Sequence, residues 1–292
     1  MIIVNVKGGI GNQMFQYSIY RRLKEEGKTV RLWSVYPYMI DVAFDAKGEF
    51  ASRREAQETG LPATVSKNYP LRWAAHRLLR PKRKPNQFAD DKGVYVFSQD
   101  IENRLQSDPP AGIFLDGYWQ NEKWFSSIRG IIQREFSFKN ALDERNSALL
   151  EKISRGGARS VAVHVRRYSS QGFGGIDKGI DYYEKAIRYF SDRLENAVYY
   201  IFSDDIAYCK ANIRTPQSVF VEGNPSGPWE PGQWKDMMLM SRCQNIVISN
   251  STYSWWAAYL NPDDIKKNVA APAFWLAEQG DTNPNLEEWA VF

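Results

Sequence analysis

The sequence predicts an α/β protein built on parallel sheets that helices cover. Three observations predict it. Short apolar runs read as buried strands, the order strand, turn, helix repeats along the chain, and the repeats fall into two series that part near residues 150–158. At 292 residues the chain has the length of two ordinary domains. A Gly-rich joint, RGGAR at 155–159, marks the expected boundary, with a first domain over 1–155 and a second over 156–292.

In the first series, Ile2–Val6 is an apolar run followed by Gly8, Gly9 and Gly11. From Asn12 to about Glu26, Phe15, Ile19 and Leu23 recur at intervals of four, the helical spacing. Gly27 stops that helix and Val30–Trp33 reads as the next strand. From 34 to about 95, dense charge and scattered prolines predict only short helices. Ile113–Leu115 is a strand leading into the aromatic turn DGYWQNEKWF at 116–125.

The second series opens with a buried strand, Ser160–Val165. A helix over Tyr182–Glu195 carries Tyr183, Ile187, Phe190 and Leu194 on one face. Strands follow at Val198–Phe202, Val219–Val221 and Ile246–Ser249, with helices near 232–242 and over 251–260, and Val269–Pro272 closes the series. There is no internal repeat and no low-complexity tract.

A chain with 43% hydrophobic and 14% aromatic residues has the material for packed cores, which excludes intrinsic disorder over most of its length. No window holds 18 consecutive apolar residues, so no spanning helix is expected. MIIVNVKGG runs straight into a strand, without the basic leader and small-residue cleavage site of a signal peptide. Cys209 and Cys243 are too few for a disulfide framework or a four-ligand zinc site and read as reduced, buried thiols of a cytoplasmic protein. Residues 1–150 carry 23 Lys and Arg against 17 Asp and Glu, whereas 151–292 carry 15 against 17. Half the chain is therefore slightly acidic, which argues against a nucleic-acid partner. The basic excess gathers in 67–92, either a solvated segment or a patch that holds the protein at the inner membrane face or near an anionic acceptor.

Ligands of open parallel sheets bind at the carboxyl ends of strands, which directs attention to three strand ends in the second half. In HVRR at 164–167, Val163 and Val165 point to the core while His164 and Arg166 share the other face. Arg pairs two phosphate oxygens at once, so an anion at Arg166 competes with an interdomain ion pair as the reason for the cluster. In FSDD at 202–205, Ser203 and Asp204 either hold a base or ribose or cap the next helix, and the paired aspartates also invite a metal reading. In SNST at 249–252, small polar residues open a helix whose amides, with the hydroxyls of Ser251 and Thr252, suit a phosphate; a plain helix cap is the competing reading. Trp255 and Trp256 read as core. In the first half, GGIGNQ at 8–13 lacks the third glycine of the dinucleotide fingerprint, and Asn12 is either the helix cap or a donor aimed into a cleft.

Taken together, GGIGNQMFQYS at 8–18, LDGYWQNEKWF at 115–125, HVRR at 164–167, FSDD at 202–205 and LMSRCQNIVISNSTYSWWAAYLN at 239–261 resemble glycosyltransferase family 11, the α-1,2-fucosyltransferases, in order over nearly the whole chain. The resemblance implies a GT-B-type fold of two Rossmann-like domains with a cleft between them, the first on the acceptor side and the second on the donor side. It implies transfer of L-fucose from GDP-fucose to the 2-hydroxyl of a terminal galactoside, as in polysaccharide or O-antigen assembly, with inversion and with no cofactor or required metal. By position, Arg166 would bind the donor pyrophosphate with His164 beside it, and Ser203 and Asp204 would hold the guanosine. Asn250, Ser251 and Thr252 would meet the phosphates, Asn12 would reach the reacting centre, and Gln13, Gln16 and Trp119 would contact the acceptor.

One departure stands out. Where the family continues its arginine pair with a carboxylate two residues on, this chain has Ser169. Asp177, and after it Asp181, are the downstream replacements for that carboxylate, and the Gly-rich run 172–175 reads as a loop over the cleft. Transfer of another nucleotide-linked sugar, or a non-catalytic module that binds carbohydrate or nucleotide, are the alternative readings.

Overall fold

In a computed structural model, the structure describes residues 1–34, 36–58, 87–89, 97–107, 113–167, 177–227, 229–260, 268–275 and 284–292. Ser169, the run 172–175 and all of the basic stretch 67–92 except 87–89 lie outside them. The chain divides into two compact units, Met1–Glu135 and Phe136–Phe292.

The first unit is a four-stranded parallel sheet formed by β1 (Ile2–Asn5), β2 (Val30–Trp33), β3 (Gln87–Ala89) and β4 (Ile113–Asp116), in the order β2-β1-β4-β3. Every residue of β1 is buried, as a strand covered on both faces requires. The helix Ile10–Glu25 starts two residues before the expected position. Phe15, Ile19 and Leu23 are buried as the spacing predicts, and so is most of the rest of the helix. The segment 34–95 contributes short helices at Ile40–Ala43 and Arg53–Glu58, as expected, and β3, which is too short to show an apolar period.

The second unit is a six-stranded parallel sheet: β5 (Ser160–Val165), β6 (Val198–Ser203), β7 (Ser218–Phe220), β8 (Asn245–Val247), β9 (Asn268–Ala271) and β10 (Ala290–Val291), in the order β10-β9-β8-β5-β6-β7. The core of one face gathers Val161, Val163 and Val165 with Tyr183, Ile187 and Phe190 of the helix Ile180–Ser191. All six residues of β5 are buried, His164 among them. The series does not close at Val269–Pro272 as the sequence suggested, because β10 adds two residues to the edge beside β9.

The boundary is also corrected. It falls after Glu135, ahead of the glycine joint at 155–159. The helix Glu144–Gly156 belongs to the second unit, where Arg145 and Asn146 bond Asn224 (2.6 and 2.9 Å) and Asp143 pairs with Lys235 at 2.7 Å. The glycines end this helix and lead into β5; they are not a hinge between domains. Cys209 and Cys243 are free and wholly buried. Among the described residues no helix is long and apolar enough to cross a membrane.

Candidate functional site

Each sheet has one point at which its strand order reverses, and such points open a crevice at the carboxyl ends of the two strands. In the second sheet, β5 to β7 run outward on one side and β8 to β10 on the other, so the reversal lies between β5 and β8. HVRR follows β5 and SNST follows β8, which brings two of the three sequence-predicted segments to one crevice. In the first sheet the reversal lies between β1 and β4, where the turn of Gly8 and the turn after Asp116 meet.

At the β5 end, Arg166 is largely buried, with its side chain 16% exposed, and its guanidinium lies 3.5 Å from Oδ2 of Asp204. Oδ1 of the same carboxylate accepts the backbone N–H of Arg167 at 2.8 Å. Arg167 turns away from Arg166: its guanidinium pairs with Asp177 and stacks 3.9 Å over the ring of Tyr208. The two arginines are therefore not equivalent, since Arg167 is fixed by a carboxylate and an aromatic face while Arg166 shares a carboxylate already bound to the main chain.

The FSDD turn is held by its own hydrogen bonds. Ser203 Oγ accepts the N–H of Asp205 at 2.9 Å, and Asp205 Oδ1 accepts the N–H of Tyr208 at 2.9 Å, capping the helix Ile206–Asn212. Asp204 is committed to the arginine turn. The segment thus folds its own turn and anchors the end of β5. Among the described residues no three His, Cys, Asp or Glu side chains gather as metal ligands, and Asp204 and Asp205 are engaged as above.

His164 is buried, with Nδ1 3.0 Å from Ser249 Oγ and its ring 5.7 Å from that of Tyr253. Burial, reinforced by the nearby Arg166 charge, lowers its pKa to about 3. It is a neutral link between the ends of β5 and β8, not a cation on a phosphate.

At the β8 end, Asn250 Nδ2 donates to the Trp275 carbonyl at 2.9 Å, so the Asn250 side chain shapes the loop. Ser251 precedes the helix Thr252–Tyr259 with extended backbone, and no side chain caps the helix start. The helix begins at the carboxyl end of β8, which puts the positive end of its dipole at the β5–β8 reversal. Trp255 and Trp256 are wholly buried, as expected of core residues.

In the first unit, Gly8 has φ +79°, and a Cβ there would lie 2.7 Å from Asn12 Nδ2, so only glycine permits this approach. Gly9, not Asn12, is the helix cap. Asn12 is half-buried, and its Oδ1 accepts from Gln120 Nε2 at 2.8 Å. Gln13 and Gln16, expected at the acceptor, are wholly buried and spent on the main chain. Gln13 bonds the carbonyls of Gly8 and Pro37 and the N–H of Met39, and Gln16 bridges the N–H of Lys7 and the carbonyl of Gly117. They hold the two turns of the first crevice together. Trp119 is 4% exposed, has a left-handed backbone (φ +55°) and packs edge-on against Trp124 at 5.2 Å. It forms a strained turn rather than an exposed platform. Gln120 and Asp116 are the residues of this edge that sequence reasoning passed over; the signal for both was their position in the turn at 116–125.

The two downstream carboxylates differ in setting. Asp177 is held by Arg167, and Asp181 is exposed on the first turn of Ile180–Ser191, where it complements the helix dipole.

Two parallel, doubly wound units, the second with an arginine and a helix start at its strand reversal, have the architecture of a glycosyltransferase of the GT-B type. The chain belongs to glycosyl transferase family 11, whose model matches residues 93–290. It is 27% identical to the O-antigen biosynthesis glycosyltransferase WbnK of Escherichia coli, over 97% of this chain and 98% of that one. It is 26% identical to an alpha-1,2-colitosyltransferase of Escherichia coli, over 99% and 98%. The fold matches the crystal structure of the fucosyltransferase NodZ from Bradyrhizobium with a TM-score of 0.54 at 17% identity, covering 89% of this chain and 92% of that one.

Proposed function

We propose that this chain is an inverting α-1,2-fucosyltransferase that moves L-fucose from GDP-fucose to the 2-hydroxyl of a terminal galactoside. The second unit binds the donor and the first the acceptor. The observation that carries the reading is Arg166, paired with Asp204 beside the β5–β8 reversal, with the start of the helix Thr252–Tyr259 at the same reversal. The departing diphosphate gains negative charge as the bond to the sugar breaks. A preorganised donor aimed at such a charge contributes roughly 3–4 kcal/mol, about 10²–10³ in rate. A guanidinium and main-chain amides supply this without a metal ion, so turnover should survive EDTA. Asn12, held by Gln120 beside the Gly8 turn, is the candidate for orienting the reacting hydroxyl.

The test is a thermal-shift panel of GDP- and UDP-sugars followed by transfer to lactose. Stabilisation by GDP-fucose with formation of fucosyl-lactose is the expected result; binding without turnover would make the chain a lectin-like module instead. A second reading keeps the enzyme and changes the sugar to colitose. It is favoured by full-length similarity to a relative named for that transfer, and the nucleotide-linked colitose belongs in the same panel.

A further inference from the structure

Transfer to a sugar hydroxyl needs a group that removes its proton; Asp177 is paired with Arg167, and Asp181 lies exposed on the first turn of a helix. We infer that Asp116 is the general base, an assignment that rests on the transferase reading above. Asp116 ends β4, and the first sheet reverses between β4 and β1, so its carboxylate stands at the crevice of the first unit. Its placement is built rather than incidental. Oδ1 accepts from Asn5 Nδ2 at 2.7 Å and from Lys7 Nζ at 2.8 Å. Asn5 is 2% exposed and sits at the end of the neighbouring strand; Lys7 is itself steadied by the Tyr118 ring, 5.0 Å from its ammonium. The Lys7 main chain is pinned by Gln16, which also holds Gly117.

Two donors therefore converge on one carboxylate oxygen. Among the described residues no hydrogen bond engages Oδ2, and the side chain remains 30% exposed. A carboxylate locked through one oxygen and open through the other is oriented to accept a proton from solution. The buried orphan atoms nearby, Gln120 Oε1 and Trp119 Nε1, and the strained backbone of Trp119 mark the same turn as one whose shape is kept at a cost. In the step, the acceptor oxygen bonds to the anomeric carbon while that carbon's bond to the β-phosphate oxygen breaks. The bonding pair leaves with GDP, the hydroxyl proton passes to Asp116 Oδ2, and water later removes it.

The experiment compares wild type, Asp116→Asn and Asp116→Ala in fucosyl transfer from GDP-fucose to lactose, with sodium azide as an alternative nucleophile that carries no proton. General-base removal costs about 10²–10⁴-fold. The expected result is at least a hundredfold loss of transfer to lactose in Asp116→Asn, with the melting shift produced by GDP unchanged. Asp116→Ala should form the sugar azide at least as fast as wild type. More than a fifth of wild-type transfer in Asp116→Asn overturns the assignment, as does an Asp116→Ala protein that is as impaired with azide as with lactose. A wild type that transfers from neither GDP-fucose nor the nucleotide-linked colitose overturns the transferase reading itself, and the base with it; an active wild type beside an unimpaired Asp116→Asn overturns the base alone.

Discussion

The Asp204 carboxylate lies 3.5 Å from the Arg166 guanidinium while its other oxygen holds the main chain of the next residue, Arg167, at 2.8 Å. One side chain, 3% exposed, thereby ties the end of β6 to the turn after β5 and sets the direction of Arg166. The arginine that follows β5 is held from the neighbouring strand.

Replacing Arg166 tests the reading directly. Arg166→Ala should lower kcat/KM at least about a hundredfold with the fold intact, the scale of one lost preorganised donor. Arg166→Lys should recover little, since an ammonium cannot fork across two phosphate oxygens. A fall below fivefold in a folded Arg166→Ala protein would refute the role.

Asp204 should divide into a stability part and a positioning part. Asp204→Ala leaves the buried Arg167 N–H without its acceptor, a cost of about 1–3 kcal/mol that calorimetry reads as a lower Tm. Asp204→Asn keeps an acceptor oxygen and should melt near wild type, yet lose activity because Arg166 is no longer held by charge. Equal activity in Asp204→Asn and wild type would show that Arg166 is positioned without it.

His164 should contribute to acid instability. Its folded pKa, lowered to about 3 by burial and then by Arg166, lies below the ordinary 6.5, so the unfolded chain binds the extra proton between those values. The contribution is complete above pH 6.5 and declines as pH falls toward 3. His164→Asn should flatten the dependence of Tm on pH between 4 and 6.5. For the same reason the imidazole should produce no inflection in the activity profile from pH 6 to 9.

Asp236 has the opposite sign. It is half-buried beside Asn224, which donates to it at 2.6 Å; desolvation, only partly offset by Asn224 and the Arg145 charge, raises its pKa to about 6. Between 3.8 and 6 the folded state binds more protons than the unfolded one, so this group costs stability as pH rises through that window and costs most above 6. Asp236→Asn should therefore gain Tm relative to wild type at pH 8 and not at pH 4. A gain independent of pH would mean that the effect is packing.

The strands and the turns that follow them were legible because buried parallel strands are continuous apolar runs and because glycine or hydroxyl turns punctuate them. Ser160–Val165 and Val30–Trp33 fall where the sequence placed them. The strands β3 and β10, with three and two residues, fall below the length at which a pattern exists. Side-chain commitments were the least legible. Gln13, Gln16 and Asp204 are polar residues in a recognisable motif, and sequence alone does not distinguish a polar group aimed at a ligand from one consumed by a neighbouring carbonyl or amide. Asp116 was hidden for the converse reason, since its partners Asn5 and Lys7 lie more than a hundred positions away.

The position of the unit boundary bears on how this scaffold is recombined. A chimaera that takes its first unit from a relative should be spliced between Glu135 and Phe136. Splicing at the glycines would hand over the helix Glu144–Gly156 without Asn224 and Lys235, leaving Asp143 and Asn146 with foreign neighbours and the second unit without a helix that belongs to it.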